Sequence, residues 1–479
     1  MLNTLSKKAI SNSKTKYKSL SLKKIVVKFG GSNLKNPANI DKVLETIKKY
    51  DNPLVVVVSA FYGITDRLIA ILTKVKHNRD EIQELTKFLF EMKKEVLEKQ
   101  IKDRKILEST FRKLEDRIEE LERYLLGIHY IGETPGFVED VVLSYGERLS
   151  ALVLTAILKV NEIDAEEALP ENIGLLTDGE FGRASVDFSK SRKELIRSLA
   201  GDKTYVVPGF YGVSQDKKVT LLGRGGSDYS AASIARCINA KSLDVWKDVD
   251  GFLTADPELV ENARRVKKLS YTESAELAYF GAKILHPLTI SPLMNTNIPV
   301  RIFNINNDID IDNPFSIIDS KTEVSEHIIK SVTYNDDFAI LKLIGPGVGI
   351  RPGLLANVTT HLGNNNINIK SVITSQTSIN LLLSRNDLRQ AYNIVQELDL
   401  QLVNELQTID DISVIALIGE GMMERCGLAA RMFGAMSKKD INILIISVGA
   451  SPVTAYFIIH REERDRAVRA IHREFFENN

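Results

Sequence analysis

The chain has 479 residues, too many for one ordinary hydrophobic core, so we expect several domains. Its 63 Lys and Arg residues balance 63 Asp and Glu residues, and a neutral chain gives no global reason to expect nucleic acid or an anionic membrane as a partner. Two widely spaced cysteines and seven scattered histidines argue against a disulfide framework or a protein-bound metal, and we expect a cytoplasmic protein.

The chain begins with a basic segment. Residues 1–23 are rich in Lys, Ser and Asn and contain no acidic residue, a composition typical of a disordered tail. They lack the apolar core of a secretory signal and the arginines of an organelle transit peptide. We predict a disordered tail, with a targeting or partner-binding arm as the alternative.

An α/β domain is predicted over residues 24–315. A strand at 24–30 leads through a Gly-Gly turn into a helix at 38–49 and then into the buried strand 54–58, a pattern that indicates a largely parallel sheet. The longest apolar runs are strand-sized, too short to cross a bilayer. Residues 80–127 have apolar positions every three or four residues, which predicts a helical hairpin or coiled pair acting as a scaffold and dimer element.

Two similar units follow the Asp/Asn/Pro-rich stretch near residues 310–320. Residues 338–384 and 412–460 each contain a β-rich run ending in Leu-Ile-Gly, a helix opened by Gly-Leu, an Asn-Ile strand and a hairpin strand. Similarity in this order predicts two ferredoxin-like βαββαβ units, at 325–405 and 406–479.

The first candidate site is the KFGGS turn at residues 28–32. Backbone N–H groups at Gly30 and Gly31 can approach a polyphosphate closely because neither residue has a Cβ atom. Lys28 would reach the transferred phosphate, and Ser32 could donate its hydroxyl. The turn matches neither a P-loop nor a G-x-G-x-x-G fingerprint, and a lone Gly-Gly turn is usually only a turn.

Further polar residues lie near predicted element ends. Ser59 and Thr65 follow the strand 54–58, at the edge where open α/β sheets bind their ligands. Glu147, in SYGERLSA, is predicted at the start of a helix, where an acidic residue most often only balances the helix dipole.

The stretch LLGRGGSDYS adds a cation between glycines. Arg224 can hold a carboxylate through two parallel hydrogen bonds. Ser227 is predicted to cap the following helix, with Asp228 in its first turn. Taken alone, these residues also fit a well-capped helix with a salt bridge.

In this order the motifs resemble the aspartate kinases of the amino acid kinase family, and the two final units resemble paired ACT domains. The motifs are KFGG, SA-x-x-G-x-T, S-x-GERLS, LGRGGSD, W-x-D-V-x-G and ELAYFGAK-x-LHP. The resemblance covers the chain from about residue 24. It implies a largely parallel sheet sandwiched by helices as the catalytic domain, followed by two regulatory units.

The resemblance also implies a reaction, transfer of the ATP γ-phosphoryl group to the side-chain carboxylate of L-aspartate in the lysine, threonine and methionine branch. That carboxylate is ionised at neutral pH, so the reaction needs positioning and charge neutralisation rather than a general base. Mg²⁺ would be held mainly by the nucleotide phosphates. The implied catalytic residues are Lys28 and Asp228. The implied aspartate-binding residues are Ser59, Thr65, Glu147, Arg224 and Ser227, and the implied ATP-binding residues are Lys28, Gly30, Gly31, Ser32, Lys247, Asp248 and Lys283.

Some positions depart from the family pattern. Leu253 and Glu258 replace a Tyr and an Arg, which leaves the adenine contact unassigned. Lys370 stands where lysine-sensitive relatives have an acidic residue, so a lysine effector would meet like charge. Lysine, threonine, some other effector and no effector therefore all stay open. The implied effector site comprises Gly353, Leu354, Leu355, Asn368, Ile369, Thr374, Ser375 and Gln376.

Two other functions remain open. Another amino acid kinase, such as N-acetylglutamate or glutamate kinase, is opposed by the paired ACT units. A non-catalytic amino-acid-sensing subunit is opposed by intact Lys28, Arg224 and Asp228. Because ACT units commonly pair between chains, we expect a homo-oligomer, at least a dimer. No homoserine dehydrogenase domain is expected after the second unit.

Overall fold

The computed structural model of the protein describes residues 23–282, 284–321, 324, 328–398 and 400–477. Apart from Lys23, the predicted tail at 1–23 lies outside the described residues. The strands of the N-terminal domain are β1 Ile25–Phe29, β2 Leu54–Val58, β3 Ala165–Glu167, β4 Thr204–Pro208, β5 Tyr211–Val213, β6 Val219–Leu221, β7 Leu243–Lys247, β8 Lys268–Ser270, β9 Val300–Asn304 and β10 Ser316–Asp319.

Helices alternate with these strands. Their bounds are α1 Pro37–Lys48, α2 Ile64–Lys74, α3 Asp80–Gln100, α4 Arg104–Ile131, α5 Gly136–Val160, α6 Pro170–Ile173, α7 Phe188–Ser198, α8 Gly226–Ile238, α9 Tyr271–Tyr279 and α10 Pro287–Ile290. One 8-stranded sheet has the order β3-β4-β2-β1-β7-β9-β10-β8. Its neighbours are parallel except β9 and β10, which confirms the largely parallel sheet.

The sheet is covered on both faces, as strand β1 shows. Ile25, Val27 and Phe29 pack in one core with α1 to α5, whereas Val26 packs in a second core with α7 to α10. Because side chains alternate along a strand, Lys28 lies on the same face as Val26, at the carboxyl end of β1. The central strand thus carries its only charged side chain toward α8.

The predicted helical hairpin is confirmed as α3 and α4. Its apolar positions, such as Leu89 and Leu121, are fully buried and join the core that contains α5. The hairpin is therefore part of the domain core on one side and solvated on the other. A role in dimer contact stays a prediction.

Helix α5 corrects the expectation that the apolar runs are only strand-sized. Among the described helices it alone is long and apolar enough to span a membrane by length and composition. However, 83% of its most apolar stretch is buried inside the domain. Burial on nearly all sides is the property of a helix in a protein core.

The C-terminal half forms two antiparallel sheets. Their orders are β13-β14-β12-β15 and β11-β16-β18-β17, and two helices accompany each sheet, which confirms two ferredoxin-like units. The strands are β11 Ser331–Asn335, β12 Ala339–Ile344, β13 Ile369–Thr374, β14 Ser378–Leu383, β15 Glu405–Ile409, β16 Ile412–Ile418, β17 Ile445–Ser451 and β18 Thr454–His460, and the helices are α11 Leu354–Asn364, α12 Leu388–Glu397, α13 Leu428–Ser437 and α14 Arg464–His472.

The two units are not consecutive in the chain, and this corrects the division into 325–405 and 406–479. Strand β11 precedes the first unit but pairs with β16 of the second. Strand β15 extends past residue 405 and pairs with β12 of the first. The repeats detected in the sequence start at β12 and β16 and therefore do not include β11. The place of β11 is decided by its pairing with β16, which lies far away in the chain.

A buried polar cluster joins the α/β domain to the second unit. The Glu273 carboxylate, on α9, accepts hydrogen bonds from the Lys330 ammonium at 2.8 Å and from the backbone N–H groups of Ser270 at 2.7 Å and Glu420 at 2.8 Å. Both charged side chains are buried, with exposed fractions of 7% for Lys330 and 0% for Glu273. The junction therefore depends on one carboxylate with three donors.

Replacing Glu273 should destabilise this junction. Glu273→Ala would leave the Lys330 ammonium buried without its carboxylate, which costs about 3–5 kcal/mol of unfolding free energy. Denaturant unfolding followed by circular dichroism measures the loss. Glu108→Ala is the matched control, because Glu108 pairs with Arg104 at the exposed surface of α4 and such a pair contributes less than about 1 kcal/mol. Equal small effects of both variants would contradict a stabilising junction.

Candidate active site

Three parallel strands bring the predicted turns to one edge of the sheet. Strands β1, β2 and β7 are neighbours, with Phe29 in register with Val58 and Trp246. Their carboxyl ends therefore lie side by side. The backbone N–H of Ser59 donates to the carbonyl of Phe29 at 3.2 Å, so the turn after β2 directly adjoins the Gly-Gly turn after β1.

Two lysines and one aspartate form the charged centre of this edge. Lys28 makes an ion pair with Asp228 of α8, and the Lys247 ammonium lies 3.3 Å from the other Asp228 oxygen. Although burial opposes ionisation, the charges of Lys247 and Lys28 lower the pKa of Asp228 below its ordinary value. Burial lowers the pKa of Lys28, and Asp228 opposes that shift. The structure thus brings Lys28, Asp228 and Lys247 together.

The Gly-Gly turn is held by a residue that the sequence analysis did not single out. Gly31–Leu34 form a single 3₁₀ turn, and the Gly30 N–H donates to the buried Asn33 side chain at 3.0 Å. A Cβ atom on Gly31 would lie 2.9 Å from the carbonyl oxygen of Ala60, so a larger residue does not fit. The sequence could have indicated this role of Asn33, because it lies three residues after the turn glycine, which is the spacing of a capping side chain.

The predicted position of Glu147 at the start of a helix is wrong. Helix α5 begins at Gly136, and Glu147 lies in its interior. Gly146, in the interior of α5, has no room for a side chain, because a Cβ atom there would lie 2.8 Å from Cβ of Ala60. Close packing of α5 on the turn after β2 requires this glycine. The helix dipole therefore does not explain Glu147.

Glu147 is a buried carboxyl group with one free oxygen. Ser227 donates to its Oε1 at 3.4 Å, and the Ala60 backbone N–H favours its ionised form. Its Oε2 is buried and has no hydrogen-bond partner within the described part of the chain. Burial raises the pKa of Glu147 to about 8, against the hydrogen bonds and the Lys28 charge. Such an oxygen can accept a hydrogen bond from a bound cation.

Ser227 is not the helix cap that the sequence predicts. Gly225 precedes α8 with a φ of 71° and takes the cap position, because a left-handed conformation there favours glycine. The Ser227 hydroxyl therefore turns to Glu147. A side chain on Gly225 would overlap His286, so the LHP motif packs against this turn. Arg224 is exposed beside the turn and makes no ion pair with a described residue, which leaves it available to an anion.

The other predicted site residues are less closely connected. Thr65 lies partly buried in the first turn of α2, and Ser32 is partly exposed in the 3₁₀ turn. Asp248 is exposed just after β7, and Lys283 lies outside the described residues.

The loop that carries Leu253 and Glu258 docks on the second ACT-like unit. The Leu253 carbonyl accepts from the Ser331 hydroxyl at 2.8 Å, and the Thr254 hydroxyl lies 3.0 Å from Nε2 of buried His472. The loop with the residues that depart from the family pattern thus lies where the α/β domain meets the second unit.

The predicted effector residues lie around the loop before α11. Gly353 precedes α11 with a φ of 85°, and the N–H of Gly349 donates to the Gln376 carbonyl at 3.4 Å. Leu354 is buried and Leu355 and Ile369 partly buried, whereas Asn368, Thr374, Ser375 and Gln376 are exposed. The Lys370 ammonium donates to the Asp337 carbonyl at 2.9 Å and lies 3.6 Å from its carboxylate. The charge of Lys370 is therefore balanced within the chain.

Sequence comparisons agree with this arrangement. Residues 23–304 match the amino acid kinase family, and residues 333–397 and 415–475 match ACT domains. Over 95% of its length the chain is 30% identical to a bifunctional aspartokinase/homoserine dehydrogenase of Haemophilus influenzae, of which it spans 56%. It is 32% identical to chloroplastic aspartokinase 1 of Arabidopsis thaliana over the same share of its length, and it spans 80% of that protein.

Solved structures of E. coli aspartokinase III share the whole architecture. The complex with aspartate and ADP has a TM-score of 0.80 at 27% identity, covering 95% of this chain and 100% of that one. The complex with lysine and aspartate has a TM-score of 0.78 at 27% identity, covering 95% and 99%. Family match, domain order and fold confirm the resemblance seen in the motifs, and the chain belongs to the aspartokinases of the amino acid kinase family.

Proposed function

We propose that the chain transfers the γ-phosphoryl group of ATP to the side-chain carboxylate of L-aspartate, giving 4-phospho-L-aspartate. The observation that carries this proposal is the buried Lys28–Asp228–Lys247 cluster beside the Gly-Gly turn, with the free Glu147 oxygen nearby. Aspartate and ADP in the E. coli neighbour support it. The product would supply the lysine, threonine and methionine branch of amino-acid biosynthesis.

The charges at the sheet edge fit a nucleotide polyphosphate. Lys28 and Lys247 supply two positive charges beside the Gly-Gly turn, where Gly31 has no room for a side chain because a Cβ atom would lie 2.9 Å from the Ala60 carbonyl oxygen. Mg²⁺ bound to ATP would neutralise phosphate charge during transfer. Asp228 already pairs with two lysines, which makes it a poor metal ligand. The residues thus fit Mg²⁺ held mainly by the phosphates.

The opposite charges of the amino-acid substrate match the remaining groups. Glu147 would accept the α-ammonium group through its free Oε2, and Arg224 would hold the α-carboxylate. The hydroxyls of Ser59, Thr65 and Ser227 would supply further hydrogen bonds. With both α-groups bound, the side-chain carboxylate is directed toward the phosphate held at Lys28.

We also propose an amino-acid effector at the ACT units, lysine or threonine. Lysine in the second E. coli neighbour supports lysine, and Asp337 balances the charge of Lys370, which weakens the like-charge objection. A cytoplasmic location and a homo-oligomer, at least a dimer through the ACT units, complete the proposal. Adding lysine, threonine or both to the activity assay tests the effector.

The reaction itself is tested by trapping the product. Because hydroxylamine attacks acyl phosphates, the purified chain with Mg-ATP, L-aspartate and hydroxylamine should form aspartyl hydroxamate, detected as its coloured iron complex. L-Glutamate and N-acetyl-L-glutamate serve as alternative substrates. Faster turnover of either would favour another amino acid kinase, and no product at millimolar concentrations of any substrate would favour the non-catalytic sensor.

Arg224 is expected to govern aspartate affinity. Arg224→Ala removes charged hydrogen bonds to the α-carboxylate, so the KM for aspartate should rise about 10–100-fold while the KM for ATP stays within about twofold. Arg104→Ala, at an exposed position of α4, is the control and should change neither constant. An unchanged aspartate KM in Arg224→Ala would show that another group binds the carboxylate.

The raised pKa of Glu147 predicts how activity depends on pH. The ionised carboxylate binds the ammonium group, so kcat/KM for aspartate should fall about tenfold per pH unit as pH drops below about 8. Rate measurements from pH 6 to pH 9 check this, and a flat profile would contradict it.

The same shift has a consequence for folding. A folded-state pKa above the ordinary 4.5 means that the folded chain binds the proton more tightly than the unfolded chain. The stability from Glu147 is therefore present below about pH 4.5 and lost as pH rises toward 8. Glu147→Gln, which stays neutral, should raise the unfolding temperature relative to the natural chain more at pH 8.5 than at pH 5. Equal differences at both pH values would show that Glu147 does not titrate in this range.

A further inference from the structure

The helical hairpin contains a buried lysine that none of the motifs includes. The Lys93 side chain, on α3, is completely buried, and its ammonium has no hydrogen-bond partner among the residues that the structure describes. The nitrogen lies over the ring of Phe61, whose centroid is 2.9 Å away. A buried ammonium without hydrogen bonds costs several kcal/mol, so an ordinary core position would favour an apolar residue.

Lys93 lies behind the wall of the candidate aspartate site. Phe61 directly follows Ala60, whose backbone N–H favours the ionised form of Glu147. The same Ala60 packs against Gly146 of α5 and Gly31 of the phosphate turn. The ammonium of Lys93 is therefore one layer away from the groups that would bind substrate and nucleotide.

The electrostatic partner of Lys93 is Glu147. Burial lowers the pKa of Lys93 well below its ordinary value, and the charge of Glu147 opposes that shift. Coulomb attraction is mutual, so a positive Lys93 favours the ionised form of Glu147, and the dry surroundings strengthen the effect. The ionised form of Glu147 is also favoured by the backbone N–H groups of Ala60 and Glu147, by the Ser227 hydroxyl and by the charge of Lys28. Two buried polar atoms, Nζ of Lys93 and Oε2 of Glu147, thus lack hydrogen bonds in the same region.

Resting on the proposed function, we propose that Lys93 is a positioning residue for Glu147: its buried ammonium stabilises the ionised form of the Glu147 carboxylate, which is the form that binds the ammonium group of aspartate. Lys93 itself does not touch the substrate. Under this proposal the α3–α4 hairpin has a function beyond scaffolding, because it places the positive charge of Lys93 behind the residues that would bind the substrate.

Lys93→Met tests this role, because methionine has a similar shape without the charge. We expect the aspartate KM to rise about tenfold at pH 7.5 and the acidic limb of kcat/KM to move up by about one pH unit. The ATP KM and the saturated rate should stay within about twofold. The unfolding temperature should stay equal or rise, because an apolar side chain replaces a buried charge. If Lys93 had only a structural role, Lys93→Met would instead lower the unfolding temperature and would not shift the acidic limb of kcat/KM.

Phe61→Leu is the matched control. It removes the ring that contacts Lys93 but keeps the charge, so it should lower the unfolding temperature without moving the pH limb. A limb that moves equally in Phe61→Leu and Lys93→Met would assign the effect to packing and overturn the proposal. Loss of folding in both Lys93→Met and Lys93→Gln would also overturn the proposal.

Calorimetry of aspartate binding gives a readout that does not need turnover. Titrations at pH 7.5 in buffers of different ionisation enthalpy count the protons released when Glu147 ionises. Lys93→Met should release more protons than the natural chain, whereas Glu147→Gln should release none, with or without Lys93→Met. Equal proton release in Lys93→Met and the natural chain would overturn the inference. A natural chain that neither binds nor phosphorylates aspartate would instead refute the proposed function.

Discussion

The Asp228 carboxylate, placed between Lys28 and Lys247, is the interaction around which the rest of the site is arranged. The buried ammonium of Lys28 and the partly buried ammonium of Lys247, on neighbouring parallel strands, would repel each other, and the carboxylate from α8 makes their proximity possible. It also ties the helix to the strands at the edge where ligands of α/β sheets bind. The Gly-Gly turn then exposes backbone beside this cluster, so positive charge and close approach coincide at one place.

Two carboxyl groups at this edge have opposite protonation behaviour because their surroundings differ. Asp228 is buried between cations, and the pKa of Asp228 is lowered. Glu147 is buried with fewer compensating groups, and the pKa of Glu147 is raised to about 8. The first is suited to hold lysines in place at every physiological pH, and the second to exchange a proton for a substrate cation. Environment, not residue type, separates the two roles.

Local patterns predicted the elements that obey local rules. Short continuous apolar runs bounded by turns identified β1 and β2, and the helical period identified the α3–α4 hairpin. The errors occurred where tertiary contacts override those rules. Helix α5 continues past Gly146, where Ala60 packs against it, so Glu147 lies in the helix interior. Gly225 caps α8 in place of Ser227 because the turn is left-handed. No motif included Lys93, since burial of one position in an amphipathic helix is visible only once its neighbours are known.

The interleaving of the two C-terminal units has a consequence for how the chain folds. Ser331 of β11 pairs with Ile418 of β16, so this ladder closes only after the whole first unit has been synthesised between them. Until then β11 is a strand without a neighbour, the kind of edge that attracts non-native pairing. Contacts so distant in sequence form slowly. When the intervening first unit folds promptly, it brings β11 and β16 together. Folding of the first unit therefore assists folding of the second.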